Sequence, residues 1–104
     1  MAMDSKATKK LKKLAHHLKP IISIGERGVS SGVLAEIDRA LSDHELIKIK
    51  LHSNRRSERA TITEELVKSC SANLVQKIGK TIVLYKKNPD AKIKLSNISG
   101  IDLA

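Results

Sequence analysis

The sequence predicts an α/β domain of the two-layer α+β kind, with elements in the order α-β-α-β-α-β-β and a mixed four-stranded sheet. Three observations predict it. Apolar residues recur at helical spacing in three segments, and alternate or form short runs in four others. Helix-length segments follow the first and second strands, as crossover connections require, whereas only Gly79-Lys80 separates the last two, as in an antiparallel hairpin. The chain has 104 residues, the length of one domain and enough to bury a core without disulfides or a structural metal.

Asp4 or Ser5 can cap a first helix in which Ala7, Leu11, Leu14, Ala15 and Leu18 keep the helical period until Pro20 ends it. Its outer stripe, Lys6, Lys9, Lys10 and Lys13, is spaced i, i+3, i+4, i+7, so four ammonium groups share one face. Ile21, Ile22 and Ile24 form a β-branched run, the composition of a strand covered on both faces. It closes at Gly25-Glu26-Arg27-Gly28. Ser30 or Ser31 then caps a second helix with Val33, Leu34, Ile37, Ala40 and Leu41 on its inner side. From Leu46 to His52 the pattern alternates, Ile47, Ile49 and Leu51 against Lys48, Lys50 and His52, so one face of this strand is basic and wet.

A polar turn, Ser53 to Ser57, leads into a third helix from about Ser57 to Cys70 with a thinner apolar stripe of Ala60, Ile62, Leu66, Val67 and Cys70. Leu74 to Ile78 and Thr81 to Lys86 are the hairpin strands. The last is apolar at four consecutive residues, Ile82 to Tyr85, so its second face needs a cover, and the first helix is the unassigned candidate. Residues 1–95 make the domain. Residues 96–104 read as a C-terminal tail, since the stretch from Asn88 holds Pro89, Gly100 and small polar residues.

Lysine and arginine number 20 against 11 acids, a formal charge of +9, which points to a polyanionic partner. The field is concentrated: the first 20 residues carry six basic side chains against one acid. Tyr85 is the sole aromatic, which excludes binding modes that stack several bases on an aromatic platform. Cys70 alone excludes an internal disulfide and the common thiolate zinc sites, and reads as a small core hydrophobe in a reducing cytoplasm. Apolar runs of at most four residues fall far short of the roughly 18 that a membrane span needs, and the basic N-terminus lacks the apolar stretch of a signal peptide. The sequence thus predicts a cytoplasmic chain without membrane contact.

The most informative local feature is the strand, the Gly-x-x-Gly turn and the helix after it. Two glycines let backbone amides approach a phosphate closely, and a helix start carries partial positive charge. An ordinary βα turn would also use Gly25 and Gly28 for backbone freedom, but Arg27 at the tip, Lys19 before the strand and the overall charge favour an anion site. The first helix places like charges together at a cost in stability, whereas a merely solubilising face mixes Glu with Lys. Arg55, Arg56 and Arg59 form a second cluster at a helix start, where cations oppose the helix dipole. Gly79-Lys80-Thr81 is not a nucleotide-binding P-loop, because Leu74 stands in place of the upstream glycine and a strand follows. No metal-site spacing joins the four histidines, and no nucleophile-base pair is evident, so neither a cofactor nor catalysis is expected.

Together these pieces resemble the bacterial YhbY-like proteins that consist of a single CRM domain. The resemblance rests on Leu14-Ala15-His16 with Leu18-Lys19-Pro20, on Ile24-Gly25 to Gly28, on Gly32-Val33 with Glu36-Ile37 and Ala40-Leu41, on His44 to Lys48, and on Ile78-Gly79-Lys80 with Leu84-Tyr85. It implies an RNA-binding module with a fold similar to the C-terminal domain of a bacterial translation initiation factor and a KH-like GxxG loop. It further implies an assembly factor on precursors of the large ribosomal subunit; plant relatives with repeated domains act in organelle intron splicing. By position the loop is Gly25, Glu26, Arg27 and Gly28, and Glu26 departs from what a phosphate cradle wants. The expected RNA surface is this loop flanked by Lys6, Lys9, Lys10, Lys13 and Lys19, with Lys48, Lys50, Arg55 and Arg56 as an outer ring on a monomer. The competing expectations are a subunit that docks on a ribosomal protein and a non-specific DNA binder.

Overall fold

The computed structural model describes residues 5–25, 27–98, 101 and 103. Its elements are α1 (Ser5–Ala15), β1 (Pro20–Ile24), α2 (Ser31–His44), β2 (Leu46–Leu51), α3 (Arg56–Cys70), β3 (Asn73–Ile78) and β4 (Thr81–Tyr85). The sheet order is β1-β2-β4-β3. β1 runs parallel to β2, while β4 pairs antiparallel with both β2 and β3. This is the mixed four-stranded sheet that the element order predicts.

Local chemistry sets the boundaries. Ser30 is the N-cap of α2 and its hydroxyl accepts from the Val33 N–H at 3.1 Å. α2 ends where Glu45 takes φ 61° and returns its N–H to the Leu41 carbonyl. α3 starts at Arg56 with no side-chain cap bond from Arg55; the Ser53 hydroxyl accepts the Arg55 N–H instead, at 3.2 Å. Gly79 closes the hairpin at φ 55°.

The sheet has an apolar core on each face. On one, Ile37 and Leu41 of α2 and Ile62, Leu66 and Cys70 of α3 pack on Ile22, Ile24, Ile47, Ile49, Leu51, Ile82 and Leu84. On the other, Leu11 and Ala15 of α1 pack on Leu46, Val75, Val83 and Tyr85. Alternation along β4 thus feeds both cores, with α1 as the cover of its second face.

β1 departs from the sequence reading. Ile22 and Ile24 are buried but Ile21 is 51% exposed, so this strand is covered on one face only. The reason is topological: β1 is an edge strand, and α1 seats on β2 and β3. β2 is mixed for the same reason, since α1 buries Leu46 while Lys48 is half-buried and Lys50 exposed on the same side.

The chain after β4 returns across the α2–β2 junction. The buried Glu45 carboxylate accepts from the Asn88 N–H and from the Ser96 hydroxyl, each at 2.9 Å. The Asn97 side-chain amide donates to the Leu46 carbonyl at 2.7 Å, and Ile98 enters the α1 core. Residues 96–98, which the sequence places in a tail, thereby dock on the domain.

Candidate nucleic-acid interface

Three connections meet at one end of the sheet: the GxxG turn after β1, the loop between β2 and α3, and the β3–β4 hairpin. Backbone bonds hold them in register. Ile24 pairs with Leu51, and the next N–H, of His52, donates to the Ile24 carbonyl at 3.0 Å. The Leu51 N–H donates to the Lys80 carbonyl at 2.6 Å, and the Lys80 ammonium donates to the Asn54 side-chain carbonyl. The three segments form one platform.

Within it the GxxG turn is tight and open. The Gly28 N–H donates to the Gly25 carbonyl at 3.1 Å, and Gly28 adopts φ 69°, a conformation that side chains disfavour. A Cβ placed on either glycine meets no atom within 4 Å apart from its chain neighbours, so both positions face open space. Arg27 is exposed at the tip; Glu26 lies outside the described residues. The turn leads through the Ser30 cap into α2, whose exposed first residues, Ser31 and Gly32, point unbonded helix-start amides outward by the geometry of any helix N-terminus.

The predicted basic residues fall in three places. Arg55 and Arg56 are exposed on the loop between β2 and α3 and at the start of α3. Lys48 and Lys50 lie on the α1 face of the sheet, and Lys19 joins Lys48 in a shallow cleft with Leu18, Ile21 and Asn97. Lys6, Lys9 and Lys13 are exposed and Lys10 half-exposed along α1, the helix that seats on β2 and β3, whereas the turn follows β1 at the opposite edge. Arg27, Arg55 and Arg56 therefore lie on connections at the same end of the sheet, Arg56 on the hairpin side with Arg59 and Lys77, and the lysines of α1 and β2 lie on a single sheet face. Lys77 and Lys80 also belong to the platform. The sequence marks Lys80 as a residue of the hairpin turn and of the family resemblance but not of the RNA surface, and Lys77 carries no separate signal.

Other reactive groups are inert here. Burial, reinforced by the Asp38 carboxylate and only partly offset by Lys86, pushes the Cys70 thiol up to about 11. It is a core residue, not a nucleophile at neutral pH. Burial first, and then the Glu45 carboxylate, raise the Tyr85 hydroxyl above its ordinary value. His44 Nδ1 bonds the Leu95 carbonyl at 2.7 Å. Among the described residues no group of three or more His, Cys, Asp or Glu could hold a metal ion, and no helix is long and apolar enough to cross a membrane.

With this geometry in place, comparisons with known proteins converge. The family model for the CRS1 / YhbY (CRM) domain matches residues 3–86. A Pseudomonas aeruginosa protein named a probable RNA-binding protein is 46% identical over 99 residues, covering 95% of each chain. A Haemophilus influenzae protein named an RNA-binding protein is 43% identical over 93 residues, covering 89% of this chain and 94% of its own. The solution structure of a hypothetical Staphylococcus aureus protein, presented as an RNA-binding candidate, superposes with a TM-score of 0.75 at 32% identity, covering 88% of this chain and 95% of that one.

Proposed function

Since the chain belongs to the CRS1 / YhbY (CRM) domain family, we propose that it binds RNA, with ribosomal RNA in precursors of the large subunit as its target. In this reading it acts in the cytoplasm as a monomeric, non-catalytic assembly factor. The observation that carries the reading is the open GxxG backbone on a cationic platform. Amides of the turn and of the α2 start hold phosphate oxygens, and Arg27, Arg55 and Arg56 supply charge-assisted bonds around them. Lys19, Lys48 and Lys50 extend the attraction along the sheet face. Tyr85, the one aromatic, is buried in the α1 core, which leaves the backbone and not stacked bases as the main contact.

Filter binding to structured ribosomal RNA across a salt series tests this. With about four to six phosphates neutralised, log affinity falls against log salt with a slope of roughly −3 to −5. A flat profile refutes the electrostatic mechanism. Competition with DNA of equal length separates RNA preference from general polyanion binding. Arg27→Gln weakens binding without loss of fold, and binding that survives nuclease treatment of an extract would favour a protein partner instead.

A further inference from the structure

Behind the platform, between the first turns of α3 and the hairpin, lies a cleft of about 280 Å³ lined by Leu51, Arg56, Arg59, Ala60, Lys77 and Ile82, together with Thr63 and Gly79. We propose that it holds one nucleotide of the bound RNA, with the phosphate on Arg56, Arg59 and Lys77 and the sugar and base against Leu51, Ala60 and Ile82. This rests on the RNA reading and extends it from backbone capture to a defined subsite.

Three observations support it. The charged lining is all of one sign: three cations and no carboxylate among the described lining residues. Like charges gathered around a partly desolvated space repel, and an anion among them relieves this. The arrangement is also built rather than loose. An Arg59 guanidinium N–H donates to the Ser53 carbonyl at 2.8 Å, which fixes the side chain before any ligand arrives.

The wall, finally, is in part apolar: Leu51 and Ile82 close the cleft from below and the half-exposed Ala60 presents its methyl group to it. A bare anion gains nothing from such a wall, whereas the ribose and base of a nucleotide do. The volume lies near the roughly 300 Å³ lower bound for small-ligand sites, which suits one nucleotide and not two. Farther along α3 the groove continues past Lys77 to Glu64 and Lys68, where the charge is of mixed sign, so the run of cations without an acid is confined to the hairpin side.

The site also lies on the path of the chain. Leu51 lines the cleft and, through the Leu51 N–H bond to Lys80 and the His52 bond to Ile24, joins the strand ends that carry the hairpin and the GxxG turn. RNA held at the turn passes Arg55 and reaches the cleft across one loop.

The test is a nuclear magnetic resonance titration of the full chain with uridine and adenosine 5′-monophosphates, and with uridine or inorganic phosphate alone. The expected result is movement of the Ala60, Lys77 and Gly79 amide signals by the monophosphates, with at least about fivefold weaker response to either part alone. Ala60→Leu fills the cleft without altering charge, and Lys77→Gln removes an exposed cation from edge strand β3; both abolish these shifts while signals of Gly25 and Gly28 stay in place. Equal shifts with inorganic phosphate reduce the cleft to an anion site and overturn the proposal, as does an unchanged response in Ala60→Leu. Filter binding of RNA separates the two levels. Retention of RNA by the natural chain and equally by both variants refutes the subsite and leaves RNA binding standing, whereas no retention by the natural chain refutes RNA binding itself.

Discussion

Replacing each glycine of the turn by alanine separates structure from function, because the two positions differ in backbone geometry but not in surroundings. Gly28 sits at φ 69°, where an L side chain costs about 1 kcal/mol, while Gly25 lies outside the left-handed region. Neither added methyl meets an atom within 4 Å, so no clash contributes. Gly28→Ala should therefore lower the melting temperature by about 5 °C for a domain of this size. Gly25→Ala should leave it unchanged or raise it slightly, because alanine restricts the unfolded chain. A methyl on Gly25 narrows the approach of a phosphate to the turn backbone, whereas the Gly28 N–H already donates to the Gly25 carbonyl and is not such a contact. Loss of one charge-assisted bond of about 1.5 kcal/mol corresponds to about tenfold weaker RNA binding. Calorimetry for stability and fluorescence anisotropy with a labelled ribosomal RNA fragment read the two effects apart. Gly25→Ala with undiminished affinity would refute the amide-phosphate contact, and Gly25→Ala that melts as early as Gly28→Ala would refute the backbone argument.

Two further predictions concern the body of the fold. Glu45→Ala leaves the Asn88 N–H and the Ser96 hydroxyl without their acceptor and should cost about 2–4 kcal/mol, with new protease cleavage between Lys87 and Ser96; Glu45→Gln, which keeps one acceptor oxygen, should cost less. The Cys70 thiol holds its proton to about 11 in the folded chain against 9.0 when unfolded, so the native state binds more protons between those values and stability falls as pH rises through them, by up to about 3 kcal/mol. Urea midpoints from pH 8 to 11 measure the fall, and an equal slope in Cys70→Ser would remove Cys70 as its source.

The sequence makes the elements legible because period and capping are local. Ser30 before Val33, the alternation from Ile47 to Leu51 and the glycine at position 79 each decide a boundary without reference to distant residues. Coverage is different, because it depends on where other elements come to rest. Ile21 matches its buried neighbours in type yet is exposed, since α1 seats on β2 and β3 and not over this edge strand. Glu45 escapes a sequence reading for the same reason: its two donors lie 43 and 51 residues away. Within the site, the GxxG turn and the arginine cluster are visible in the chain because each is contiguous. Their union with Lys77 and Lys80 is not, because it arises from the antiparallel pairing of β4 with both β2 and β3.

The same pairing explains why the proposed binding end and the stabilising end of the sheet can differ. At one end Leu46 pairs with Tyr85, both beneath α1, and the returning chain adds Ile98 to that core. At the other, register places Ser23, Lys50, Thr81 and Ile78 in one row across all four strands on the α1 side. Ser23, Lys50 and Ile78 are exposed, so α1 does not cover this row. A strip of open sheet therefore borders the platform, with Lys50 in its middle and the GxxG turn at its β1 edge. An RNA strand bound at the turn as proposed would meet a cationic surface on either side of the sheet end, Lys50 on one and the α3 cleft on the other. Its grip can then be tuned by substitutions there with little effect on the packed end that keeps the domain folded.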